Sequence, residues 1–147
     1  VIMNTGTTQV INPFWVDFYL NPVVAPTRPN DIWQNAGGSG AVWGVGGSLL
    51  PLEPGATFTL TLNDAYYRAD LSDLTFPIAA GSQTYAHVDS ANANTDSGAI
   101  LEQHELLGLP YNNILGPIPS TAAGRAIPEP PIIDQPPLPD KFPQRPN

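Results

Sequence analysis

Proline constrains this chain more than any other residue. Eighteen of the 147 residues are proline, and ten of those eighteen fall within 117–147. Proline cannot donate to a β-ladder and clashes with helical backbone, so a chain this rich in it is restricted to short elements closed by turns. Thirteen glycines add further breaks, and long Lys/Glu-rich amphipathic stretches are absent. The expected class is all-β, an antiparallel β-sandwich over residues 1–116 followed by an extended proline-rich tail over 117–147.

The clearest strand is "NPFWVDFYLNP". Alternation places Phe14, Val16, Phe18 and Leu20 on one face and Trp15, Asp17 and Tyr19 on the other. Asn-Pro at each end stops it, because proline also restricts the residue before it. "EPGATFTLTL" reads as a turn and a strand with Ala56, Phe58, Leu60 and Leu62 inward. "AVWGV" and "SQTYAHVDS" read as shorter strands, "AILEQHELL" as a last one, and "DAYYRADLSDL" as holding a helical turn. Residues 22–47 form a long connection. The chain opens on "VIM", which reads as mid-strand and so as the start of a mature or trimmed fragment. About five strands are found where a closed immunoglobulin-like sandwich has about seven.

The net charge of −8 lies wholly in the body, where ten acids face only Arg28 and Arg68; the tail balances Arg125, Lys141 and Arg145 against Glu129, Asp134 and Asp140. Such a surface repels phosphate backbones and anionic lipid, so nucleic acid is not an expected partner. There is no cysteine, hence no disulfide staple and no thiolate chemistry. No apolar run approaches the ~20 residues of a membrane span.

Four stretches taken in order, "NPFWVDFYLNP", "LEPGATFTLTL", "YAHVDS" and "ILEQHELLGLPYNN", resemble the CARDB domain, the cell-adhesion-related, immunoglobulin-like module of bacterial and archaeal surface proteins. The likeness covers residues 1 to about 114 and ends on Glu102, Glu105, Asn112 and Asn113. Members of that family begin with a strand and a half ahead of the position matching Val1, and their 22–47 region is shorter. The resemblance implies an exported, non-catalytic module located outside the cell or on its surface, and names no ligand.

Asp89, Asn92, Asn94, Asp96 and Glu102 form the densest group of oxygen ligands, a candidate weak calcium site. The spacing does not fit an EF-hand, and a turn held by its own side chain–backbone bonds explains the same residues without metal. His87 and His104 are the only histidines; no nucleophile-elbow sequence and no third zinc ligand accompanies them. His87 is expected on the outer face of its strand. Asp17 and Asp64 are the carboxylates weighed for glycoside hydrolysis, with no spacing to support them. An enzyme is not expected. Trp15, Tyr19, Trp33, Trp43, Tyr66 and Tyr67 leave three alternatives open: cover by the 22–47 loop, protein contact, or sugar stacking.

The tail interleaves its prolines with Ile127, Ile132, Ile133, Leu138 and Phe142. At a polyproline rise of ~3.1 Å per residue, its length reaches about 95 Å, while a body of this size has a radius of gyration of only ~13 Å. Such an arm wraps its own domain or leaves it. The expected function is therefore a structural subunit of an extracellular filament or surface assembly, whose tail contacts another copy through those apolar residues together with Trp15 and Tyr19. The alternative is an adhesion or ligand-binding module, or an accessory domain, of a larger secreted surface protein.

Overall fold

A computed structural model describes residues 1–62, 64–74, 76–121 and 142–146. Six strands form two antiparallel sheets: β1 (Ile2–Met3), β2 (Phe14–Leu20), β3 (Ser39–Val45), β4 (Thr57–Phe58), β5 (Gln83–Val88) and β6 (Ile114–Pro119). The larger sheet has the order β3-β2-β5-β6, and β1 pairs with β4 in the smaller one. Two one-turn helices, α1 (Trp33–Ala36) and α2 (Gln103–Leu106), and two short 3₁₀ turns complete the described elements. The fold is mostly β, as the proline and glycine content requires.

The alternation of β2 organises the molecule. Phe14 and Val16 join Ala41, Trp43 and Val45 of β3 in a first core, over which the small sheet packs through Ile2 and Phe58. On the opposite face Trp15 joins Val42, Ile32 and Ala91 in a second core. Residues 21–38 cross this second face because β2 and β3 are antiparallel neighbours joined by a long connection. Gly38 (φ +85°) lies so close to the Leu20 and Asn21 carbonyls that a Cβ would overlap them, so only glycine lets the connection re-enter the sheet there.

The sheet's two edges are treated differently. Residues 66–73 run along the outer edge of β3, where Gly40 exchanges backbone bonds with Asp73 (3.1 and 2.8 Å) and Gly44 donates to the Tyr66 carbonyl (2.9 Å). At the other edge, among the described residues, β6 pairs only with β5. It carries Pro117 and Pro119, which an edge strand tolerates and which blunt it against further pairing.

Several expectations need correction. "AILEQHELL" is not a strand: Glu102 and Glu105 form a reciprocal capping box that starts α2, and this local pairing outcompetes the apolar run. The strand expected over 56–62 is only Thr57–Phe58, although Leu60 and Leu62 still pack on the first core. β6 continues past Gly116, where composition had placed the start of the tail. His87, expected on an outer face, is buried, as are Trp15 and Tyr19, because Ile32 of the 21–38 connection, Ala91 and Phe142 pack against Trp15, while Tyr111 meets His87.

Candidate functional site

The second face of the large sheet carries a buried carboxylate. Asp17, at the centre of β2, is 0% exposed. A bare carboxylate there would be costly, and four donors satisfy it. Trp33 donates its backbone N–H to Oδ1 (3.2 Å) and Ser90 donates its hydroxyl to Oδ2. The other two donors come from the far end of the chain. Arg145 sets Nη1 on Oδ2 at 2.7 Å and Nη2 on Oδ1 at 2.8 Å, a fork-on-fork pair. Nη2 also donates to Gln34 Oε1 (2.9 Å). The Arg145 side chain is only 9% exposed.

The residues around Arg145 are held with similar economy. Trp15 donates its indole N–H to the Pro143 carbonyl (2.6 Å), and Ala93 donates its backbone N–H to the Gln144 carbonyl (2.7 Å). Phe142 stands edge-on to the Trp15 ring with centroids 4.6 Å apart. The Arg145 guanidinium lies over the same indole, 5.2 Å from its centroid, where the ring's negative face attracts a cation. Residues 142–146 therefore sit on the body as a peptide ligand would: one aromatic anchor, one charged anchor, and two backbone carbonyls bonded between them.

Beneath this site runs a buried polar chain. The Tyr19 hydroxyl donates to the Asp31 carbonyl and lies 3.0 Å from His87 Nδ1. His87 Nε2 is 3.0 Å from the Tyr111 hydroxyl. The Tyr111 hydroxyl also lies within donating distance of the Val88 and Asp89 carbonyls (3.2 and 3.3 Å), so both tyrosines bridge the imidazole to buried backbone oxygens. Burial pushes the His87 pKa down to about 4, against the opposing pull of Asp17 and Asp31. Burial also raises the Tyr19 and Tyr111 hydroxyls above the ordinary phenol value, so both stay protonated.

The residues proposed for calcium are placed as a self-bonded loop. Asp89 accepts the backbone N–H groups of Ala99 (Oδ1) and Ile100 (Oδ2), each at 2.8 Å. Burial raises its pKa to about 7 despite those bonds. Asn92 donates to the Gly98 carbonyl (3.0 Å), Asn94 takes a left-handed φ of 67°, and Asp96 is exposed. Glu102 caps α2 and accepts from Asn113 (2.6 Å). Among the described residues no three His, Asp or Glu side chains come together as metal ligands. The loop packs so closely that a Cβ on Gly98 would overlap the Asp89 carboxylate. Gly98→Ala is expected to cost about 1–3 kcal/mol, read as a fall in urea midpoint; an unchanged midpoint would contradict this packing.

The other candidates separate. Asp64 closes a turn by accepting from Thr61, Tyr66 and Tyr67 backbone N–H groups, and shares no partner with Asp17. His104 lies 3.6 Å from Glu102, and its Nε2 finds no partner among the described residues. Trp43 faces the first core, donating to the Thr61 carbonyl (2.8 Å), with Tyr67 beside it. Trp33 covers the second face and donates to the Leu71 carbonyl (3.0 Å). Of the tail residues expected to make contacts, Phe142 reaches Trp15, while Ile127, Ile132, Ile133 and Leu138 lie outside the described residues. The sequence reading missed Asp17 and Arg145 as a pair. The available signal was a lone acid amid the aromatics of "FWVDFYL" and a lone arginine between prolines in "FPQRPN".

A second feature lies on the first face. A cavity of about 780 Å³ opens between the N-terminal residues and the sheet, with Ile2, Val16, Phe18, Val88 and Ile114 among its lining. No helix among the described residues is long and apolar enough to cross a membrane.

No family model, no curated protein and no solved structure matches this chain.

Proposed function

We propose that this chain is a non-catalytic structural subunit of an extracellular filament or cell-surface assembly, built on a CARDB-like, immunoglobulin-like sandwich. The observation that carries the reading is the seating of residues 142–146 on Trp15, Asp17, Gln34 and Ala93. A body that seats its own C-terminal end, with twenty residues of sequence between Thr121 and Phe142, has the parts a self-associating subunit needs. The network around His87 supports a scaffold role: its imidazole is buried, neutral and bonded to two tyrosines.

Electron microscopy tests this. The full chain is expected to form polymers, and a chain ending at Thr121, which keeps β6 intact, is expected to form none. Polymers from the shortened chain, or none from the full one, would overturn the reading. The inter-sheet cavity, whose size suits small-molecule sites, favours the second reading: an adhesion or ligand-binding module of a larger secreted protein. Saturable binding to a glycan array by a chain that never polymerises would favour that instead.

A further inference from the structure

We infer that the groove formed by Trp15, Asp17, Gln34 and Ala93 is a receptor for the Phe-Pro-Gln-Arg-Pro segment of a second copy of this chain. The inference rests on the assembly reading above and names the contact through which assembly occurs.

The first argument is chemical. Asp17 is fully buried and, without a guanidinium, keeps only the Trp33 N–H and the Ser90 hydroxyl. Removing one partner of a buried ion pair strands the other, so this groove favours an arginine over an empty state. The fork, the indole stack and the two backbone carbonyls select a short peptide with Phe and Arg three residues apart. They do not distinguish which copy supplies it, because every contact lies between residues 142–145 and the body.

The second argument is geometric. Ile118 of β6 lies level with Thr84, and Thr84 lies level with Leu20 of β2. Trp15, where Phe142 docks, is five residues back along β2. At ~3.4 Å per residue that is roughly 17 Å from the level of Ile118, roughly 10 Å more because Thr121 lies three residues further from Trp15, and roughly 10 Å across the two strand spacings between β6 and β2. Roughly ten extended residues would close that path from Thr121. The chain instead places twenty residues between Thr121 and Phe142, which reach roughly 60 Å at ~3.1 Å each. Such an arm is longer than self-closure needs and long enough to cross to a neighbour. Each exchange would leave the receiving body's own tail free for the next one, so head-to-tail addition need not close.

The chain has no cysteine, which makes a cross-link test clean. Full-length Ala93→Cys and full-length Gln144→Cys are mixed and oxidised; the two positions meet through the Ala93 N–H and the Gln144 carbonyl. A disulfide-linked heterodimer is expected, and it should be lost when Arg145→Ala is added to the Gln144→Cys chain. Bridging only within a chain carrying both cysteines, with no heterodimer, would overturn the inference. Should no bridge form in either arrangement, a labelled peptide of residues 140–147 decides, titrated onto full-length Arg145→Ala. Saturable binding, weakened about a hundredfold or more by Arg→Ala in the peptide, sustains the receptor; no binding overturns it. Polymers seen by electron microscopy without heterodimers would reject this contact alone. Heterodimers without polymers would keep the contact and reject the assembly reading.

Discussion

Arg145→Ala is expected to lower the stability of the full chain by about 3–5 kcal/mol, because it removes two of the four donors to the fully buried Asp17 carboxyl. At about 2–4 °C per kcal/mol for a chain of this size, that is a fall in Tm of roughly 6–20 °C. Urea titration at pH 7 measures it directly, and a loss below about 1 kcal/mol would mean that the C-terminal segment is not seated on the body. Two comparisons identify the cause. Asp17→Asn combined with Arg145→Gln should cost less than either change alone, since the double variant removes both charges together. The loss should also persist at 1 M salt, because a pair with Asp17 0% and Arg145 9% exposed is poorly screened. Arg145→Lys keeps the charge and loses the fork, and falls between wild type and Ala. If neighbouring copies supply the segment, the wild-type Tm rises with protein concentration and the Arg145→Ala Tm does not.

The second large effect is a cancellation in the pH profile. Burial raises Asp89 from its ordinary 3.8 to about 7 and lowers His87 from 6.5 to about 4. Between those limits the unfolded chain loses the Asp89 proton that the folded chain keeps, so stability from Asp89 is full below pH 3.8 and is lost as pH rises toward 7. The His87 contribution has the opposite sign. The unfolded imidazole takes a proton below 6.5 while the folded one stays neutral, so stability is full above 6.5 and is lost as pH falls toward 4. Each span is worth about 3–4 kcal/mol. Wild type should therefore show a nearly flat contribution from these two groups between pH 4 and 6.5. Asp89→Asn should expose the histidine slope, with stability relative to wild type falling by about 3 kcal/mol on acidification from 6.5 to 4. His87→Phe should expose the opposite slope, with relative stability falling as pH rises from 4 to 7. Parallel curves for all three chains would refute the account.

Local geometry was written in the residues. Period-two alternation in "FWVDFYL" sorted Trp15, Asp17 and Tyr19 from Phe14, Val16, Phe18 and Leu20, and the Asn-Pro boundaries located β2 to within a residue. Proline content confined the chain to short strands, and Pro117 with Pro119 suits β6 to an edge. Two local signals were legible but outweighed in reading: the Glu102/Glu105 capping box inside an apolar run, and the lone acid within an aromatic strand face. Only the tertiary structure decided what covers the second face. Alternation states which way a side chain points and not what meets it. The 21–38 connection, Tyr111 and residues 142–145 together turned outward-reading Trp15, Tyr19 and His87 into buried groups. Arg145 lies 128 residues from Asp17, a pairing that no spacing rule reaches. The need for it arises only once folding has taken the Asp17 carboxylate out of water, and only an arginine brought from the other end of a chain then supplies both of its missing donors at once.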